Sequence, residues 1–70
     1  MPDVVGKSVN VARDALPGNT SLTVQDVSGD DRFVIVESNW QVCAHEPVAG
    51  AAFDGEPVTF RVVKFGEVCP

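Results

Sequence analysis

The stretch Trp40-Gln41-Val42-Cys43-Ala44-His45-Glu46-Pro47 holds the single tryptophan, the single histidine and one of the two cysteines of the chain. Such a cluster invites a reactive or metal-binding reading. Its pattern, however, predicts a strand. Successive side chains of an extended segment point to opposite faces, so Trp40, Val42 and Ala44 share one face, while Gln41, Cys43 and His45 share the other. The first face is apolar and is expected to line a core; the second is expected to point outward.

Working outward from this strand, Pro47-Val48-Ala49-Gly50 and Asp54-Gly55-Glu56-Pro57 both carry turn chemistry. Val58-Thr59-Phe60-Arg61-Val62 then alternates into a final strand that runs to about Phe65, and Gly66–Pro70 is a tail. On the other side, Leu22 and Val24 alternate with Thr23 and Gln25, Ser28-Gly29-Asp30-Asp31 marks a turn, and Phe33-Val34-Ile35-Val36 is a short apolar run. These two segments predict an extra hairpin. Further back, Val9, Ala12 and Leu16 recur at helical spacing with Ala15 beside them, while Asn10, Arg13 and Asp14 lie outside. Ser8 is the expected N-cap, and Pro17-Gly18 stops the helix. Its two valines lower helix propensity, so the helix is expected to depend on docking against a sheet. Pro2-Asp3-Val4-Val5-Gly6 is extended in character, since Val4 and Val5 are β-branched. The fold class is therefore α+β: one helix on a small three-stranded, mainly antiparallel sheet, with an extra short hairpin between the helix and Trp40.

Length and charge narrow the function classes. A chain of 70 residues holds one domain, 1–70, and a core of this size is only marginally sufficient without a staple. Ten acidic residues face five basic ones, and the latter (Lys7, Arg13, Arg32, Arg61, Lys64) are scattered, which leaves no cationic stripe for nucleic acid. No stretch approaches the ~20 apolar residues that cross a bilayer. The N-terminus has neither the basic region nor the apolar run of a signal peptide.

The order of these motifs carries a resemblance. Pro2-Asp3-Val4-Val5-Gly6, then Ala12 and Leu16, then Trp40-x-Val42, Pro47-x-x-Gly50, Gly55-x-x-Val58-Thr59 and Val62-Val63-Lys64 together resemble the PASTA domain, the module named for penicillin-binding proteins and serine/threonine kinases. The likeness spans nearly the whole chain. It implies one helix packed on a three-stranded sheet, with the Trp40 position between them. It also implies a location outside the membrane in Gram-positive and actinobacterial proteins, and an association with peptidoglycan fragments or β-lactams. Two features depart from the generic pattern: the connection from Leu16 to Trp40 is long, and Cys43 and Cys69 are additional. The combination "NWQVC…EPVAG…VVKFGEVCP" is similar to single-module secreted or lipoprotein members of actinobacteria, especially mycobacteria.

Cys43 and Cys69 admit three readings: a redox pair, metal ligands or a structural disulfide. A redox pair is normally close in sequence, and zinc needs about four ligands, of which His45 supplies a third and no fourth is evident. A disulfide is the expectation. Closing a loop of 26 positions contributes roughly 3 to 4 kcal/mol by the chain-entropy estimate. It implies an oxidising compartment, so Met1 is expected to be a start added at the edge of an exported domain.

Other candidates favour structure over chemistry. His45 has no nucleophile arranged beside it, and an oxidised Cys43 cannot serve as one. It is expected at the surface without a role. Glu37, Glu46, Asp54, Glu56 and the Asp30-Asp31 pair suggest a two-carboxylate glycosidase site or a calcium site. Yet these acids sit in turns, and no spaced Asp-x-Asp-x-Asp-Gly run is present. Trp40 suits sugar stacking, but its apolar strand face assigns it to the core. Phe53, between two turns, is either half exposed or a cap on the core. Phe53, Glu56 and Arg61 are the candidate ligand contacts. The expected protein is a monomeric, non-catalytic module without cofactor or metal. Its expected partner is peptidoglycan or muropeptides, or alternatively an envelope protein.

Overall fold

A computed structural model describes the whole chain, Met1–Pro70. The helical period of the N-terminal third gives α1, Val9–Asp14. Val9, Ala12 and Leu16 are buried and form the docked face, whereas Ala15, expected in the same stripe, is exposed at the C-cap, past the last residue of α1. Ser8 occupies the N-cap position with extended backbone, but its hydroxyl makes no capping bond. The Ala15 and Leu16 amides reach Ala12 and Arg13, which tightens the last turn into i→i−3 bonding. A helix this short is not stable alone. Packing of Val9 and Ala12 and a bidentate Arg13–Glu37 ion pair hold it.

The sheet comprises β1 (Leu22–Asp26), β2 (Trp40–Glu46) and β3 (Val58–Lys64), in the order β1-β3-β2. The C-terminal strand thus sits in the centre. Val58, Phe60 and Val62 alternate inward along it and are essentially inaccessible to solvent. A 3-10 turn at Glu37–Asn39 leads into β2.

The expected hairpin does not form. β1 runs parallel to β3, with Leu22 opposite Val58 and Asp26 opposite Val62, while β2 runs antiparallel to it. The sheet is mixed rather than mainly antiparallel. The reason is energetic: an isolated two-stranded hairpin is marginal in water, whereas pairing with the buried central strand shields the Leu22–Val24 face. Phe33–Val36 takes up no strand pairing. Val34 packs against the core, but Phe33, Ile35 and Val36 remain 86%, 82% and 53% exposed.

The Trp40–Pro47 stretch also departs from its expected faces. Val42 pairs with Val62 and Ala44 with Arg61, so Cys43 is an extra residue in a β-bulge. A bulge places two residues opposite one and shifts the alternation by one position. Trp40 and Val42 face the core as expected. His45, opposite Phe60, then turns inward in place of Ala44.

The N-terminal segment hooks onto the outer edge of β2 rather than forming a strand. The Gly6 amide donates to the Val42 carbonyl at 2.8 Å, and the Val42 amide to the Lys7 carbonyl at 3.0 Å. Gly6 adopts φ 84°, which a side chain would disfavour, and this lets the preceding Val4 insert fully into the core. No helix is long and apolar enough to cross a membrane.

Candidate functional site

The two cysteines are joined. Cys43 and Cys69 form a disulfide with Cα atoms 5.7 Å apart, and no free thiol is present. The bulge presents Cys43 away from the core, and the tail returns over that face, where the Gln41 carboxamide donates to the Glu67 carbonyl at 3.1 Å. Val63, opposite Gln41, is fully buried on this face, apart from the main core cluster. The bridge therefore fastens the chain end across the back of the sheet.

His45 is not a surface residue. Its side chain is 2% exposed. Nε2 accepts the Val4 amide at 3.4 Å, and Nδ1 lies 2.7 Å from the Pro47 carbonyl. A carbonyl only accepts, so Nδ1 carries the proton and Nε2 the lone pair: the ring is neutral. His45 serves as a clamp between the N-terminal segment and β2. Asp3 lies 3.7 Å from Nε2 but is largely solvent-exposed. No group of three or more His, Cys, Asp or Glu side chains is placed to hold a metal ion.

Phe53, Glu56 and Arg61 each have a local partner. Phe53 packs against the core. The Glu56 carboxylate accepts the Asp54 amide at 2.6 Å, and this bond holds it below its usual range. Arg61 pairs with Glu46. No hydrogen bond or ion pair joins the three.

The most developed polar network lies at the other end of the sheet and was not anticipated. The Asp26 side chain is fully buried, at the inward-facing end of β1. It accepts the Ser28 amide at 2.9 Å and hydroxyl at 3.1 Å, the Arg32 amide at 3.0 Å and Arg32 Nε at 2.9 Å. The Arg32 guanidinium above all holds this carboxylate far below the usual range, and the Arg32 pKa is raised in turn, first by Asp26 and then by Glu67. Glu67 accepts Arg32 at 2.8 Å and the Lys64 amide at 2.8 Å. The sequence does carry a signal for this site: an aspartate in phase with Leu22 and Val24, two residues before a serine, is the pattern of a strand end closed by side-chain-to-backbone bonding.

Arg32 also covers the tryptophan. Its guanidinium carbon lies 4.8 Å from the Trp40 ring centroid, and Lys64 Nζ lies 5.7 Å from it, both within cation–π range. Trp40 itself is 3% exposed. Beside it opens a shallow depression of about 300 Å³ lined by Arg32, Phe33, Ile35, Val36, Asn39, Trp40 and Lys64. A second depression, of about 250 Å³, lies at the end of α1 between Arg13, Asp14, Leu16 and Leu22. Arg13 there is already paired with Glu37. No family model, curated protein or solved structure matches the chain.

Proposed function

We propose that this domain is a non-catalytic binding module of the cell envelope or the space outside it, and that it weakly recognises peptidoglycan fragments. The observation that supports this reading best is where the PASTA-like motifs fall in space. Val4, Ala12, Leu16, Trp40, Val42, Val58 and Val62 are all buried in the core. Gly6, Gly50 and Gly55 occupy positive-φ turns. The motif order is thus a list of the positions that hold the fold together, as expected of a module that shares that architecture. The disulfide fits an oxidising compartment, which is compatible with export. Both cysteines are engaged in the bridge, His45 in its clamp and Asp26 with Arg32.

An NMR titration of the isotope-labelled domain with purified muropeptides tests this reading. Localised shift changes at millimolar ligand are the expected result; unchanged spectra would sink it. A second reading, a protein-interaction or spacer module with no cell-wall ligand, is favoured by the free outer edge of β1, whose backbone groups are open to strand addition. Chemical crosslinking in envelope preparations, followed by mapping of linked residues to β1, separates the two.

A further inference from the structure

We infer that the depression beside Trp40 is a binding site for the carboxy-terminal end of an apolar peptide, with Lys64 receiving the carboxylate. This goes beyond the cell-wall reading by naming a surface and a ligand chemistry, and it stands or falls separately from the muropeptide ligand proposed above.

Charge selects the ligand. The chain carries ten acidic residues and five basic ones, yet the lining of this depression contains two of the basic residues, Arg32 and Lys64, and no carboxylate. The two cations differ in availability. Arg32 is bonded on both flanks, to Asp26 and to Glu67. The Lys64 side chain takes part in none of the ion pairs, and its ammonium stands over the Trp40 ring on an exposed residue. It is the cation left for an incoming anion.

The remaining lining limits the anion to an amphiphilic one. Phe33, Ile35 and Val36 form an apolar wall that the fold leaves in water. Side chains of this kind favour contact with another apolar surface over water. The exposed carboxamide of Asn39 can donate to and accept from an amide backbone. An apolar side chain, an adjacent amide and a terminal carboxylate are what a peptide C-terminus presents together. A volume of about 300 Å³ is at the small end of ligand sites, which fits a chain end and is too small for a folded element.

The test is a heteronuclear NMR titration of the intact, oxidised domain with the acetylated tripeptide Ac-Ala-Val-Leu bearing a free carboxylate, and with its C-terminal amide. The free acid is expected to shift the signals of Phe33, Ile35, Asn39 and Lys64 and the Trp40 indole. The amide is expected to bind at least fivefold more weakly. K64Q should remove that preference for the acid, while K7Q, on the N-terminal hook, should keep it. Equal binding of acid and amide, or shifts confined to other surfaces, overturns the proposal. So does movement of the same signals on simple dilution of the free protein, which would mark a second copy as the occupant. Muropeptides that shift residues elsewhere while the tripeptide acid shifts nothing would remove this site and leave the cell-wall reading standing. A preference for the tripeptide acid without any response to muropeptides would do the reverse.

Discussion

Asp26 and Arg32 form a charged joint at the end of β1: a fully buried carboxylate accepts both the side-chain Nε and the backbone amide of the same arginine, at 2.9 and 3.0 Å. The pair closes the segment after β1 and aims the guanidinium at Trp40. Because the folded-state pKa of Asp26 is depressed, the stability it contributes is present above its ordinary value of 3.8 and is lost as pH falls below that value. Glu67, lowered from 4.5 chiefly by the same arginine, acts in the same direction. The urea midpoint is therefore expected to decline as pH drops below about 4.5. D26N should destabilise the domain at neutral pH and flatten that decline; an unchanged acid slope in D26N would contradict the assignment.

The Cys43–Cys69 bridge is expected to contribute roughly 3 to 4 kcal/mol, through the entropy of the unfolded chain. Urea unfolding with and without reductant measures it, and C43S/C69S should reproduce the reduced protein. Intact mass of the native protein should correspond to loss of two hydrogens. Thiols that label readily in the native state would exclude the bridge.

Replacing His45 by Phe keeps an aromatic ring but leaves the Val4 amide without an acceptor. An unsatisfied buried donor costs about 1 to 3 kcal/mol, and the folded spectrum should lose protection at the Val4 amide. In the wild type, nitrogen-15 correlation spectra should show the Nδ1-protonated neutral tautomer at neutral pH. An Nε2-protonated ring would break the clamp described above.

Phe60, in β3, is the largest of the fully buried side chains. Phe→Ala in a core costs about 3 to 5 kcal/mol, against roughly 4 to 10 kcal/mol of total stability for a chain of this length. F60A is expected to lose cooperative unfolding as followed by the fluorescence of Trp40. I35A, on the exposed segment, should stay within about 0.5 kcal/mol of the wild type.

How much of this was legible in the residues depends on the range over which each feature is decided. The helix stripe of Val9, Ala12 and Leu16, the alternation of Val58 to Val62 and the inward face of Trp40 and Val42 follow from side-chain geometry within one element. The Cys43–Cys69 disulfide follows from a spacing too wide for a redox pair and from the lack of a fourth zinc ligand. Each was read correctly for that reason. The Asp26–Arg32 joint was not foreseen: an inward-phase aspartate near a turn marks a closed strand end, but its arginine partner does not follow, because the direction in which a turn closes is not written in its residues.

Two decisions belonged to the tertiary structure alone. Leu22–Val24 and Phe33–Val36 have equal claims to strand pairing by local pattern. The central strand β3 has one unoccupied edge, and β1 takes it, which leaves Phe33, Ile35 and Val36 in water beside Trp40. The bulge at Cys43 depends on the register between β2 and β3, set by pairing on both sides of it, Val42 with Val62 and Ala44 with Arg61. One inserted residue moved the histidine from the expected surface into the core. Local periodicity specifies which residues can face inward; competition for a shared strand and its register, both non-local, specifies which of them do.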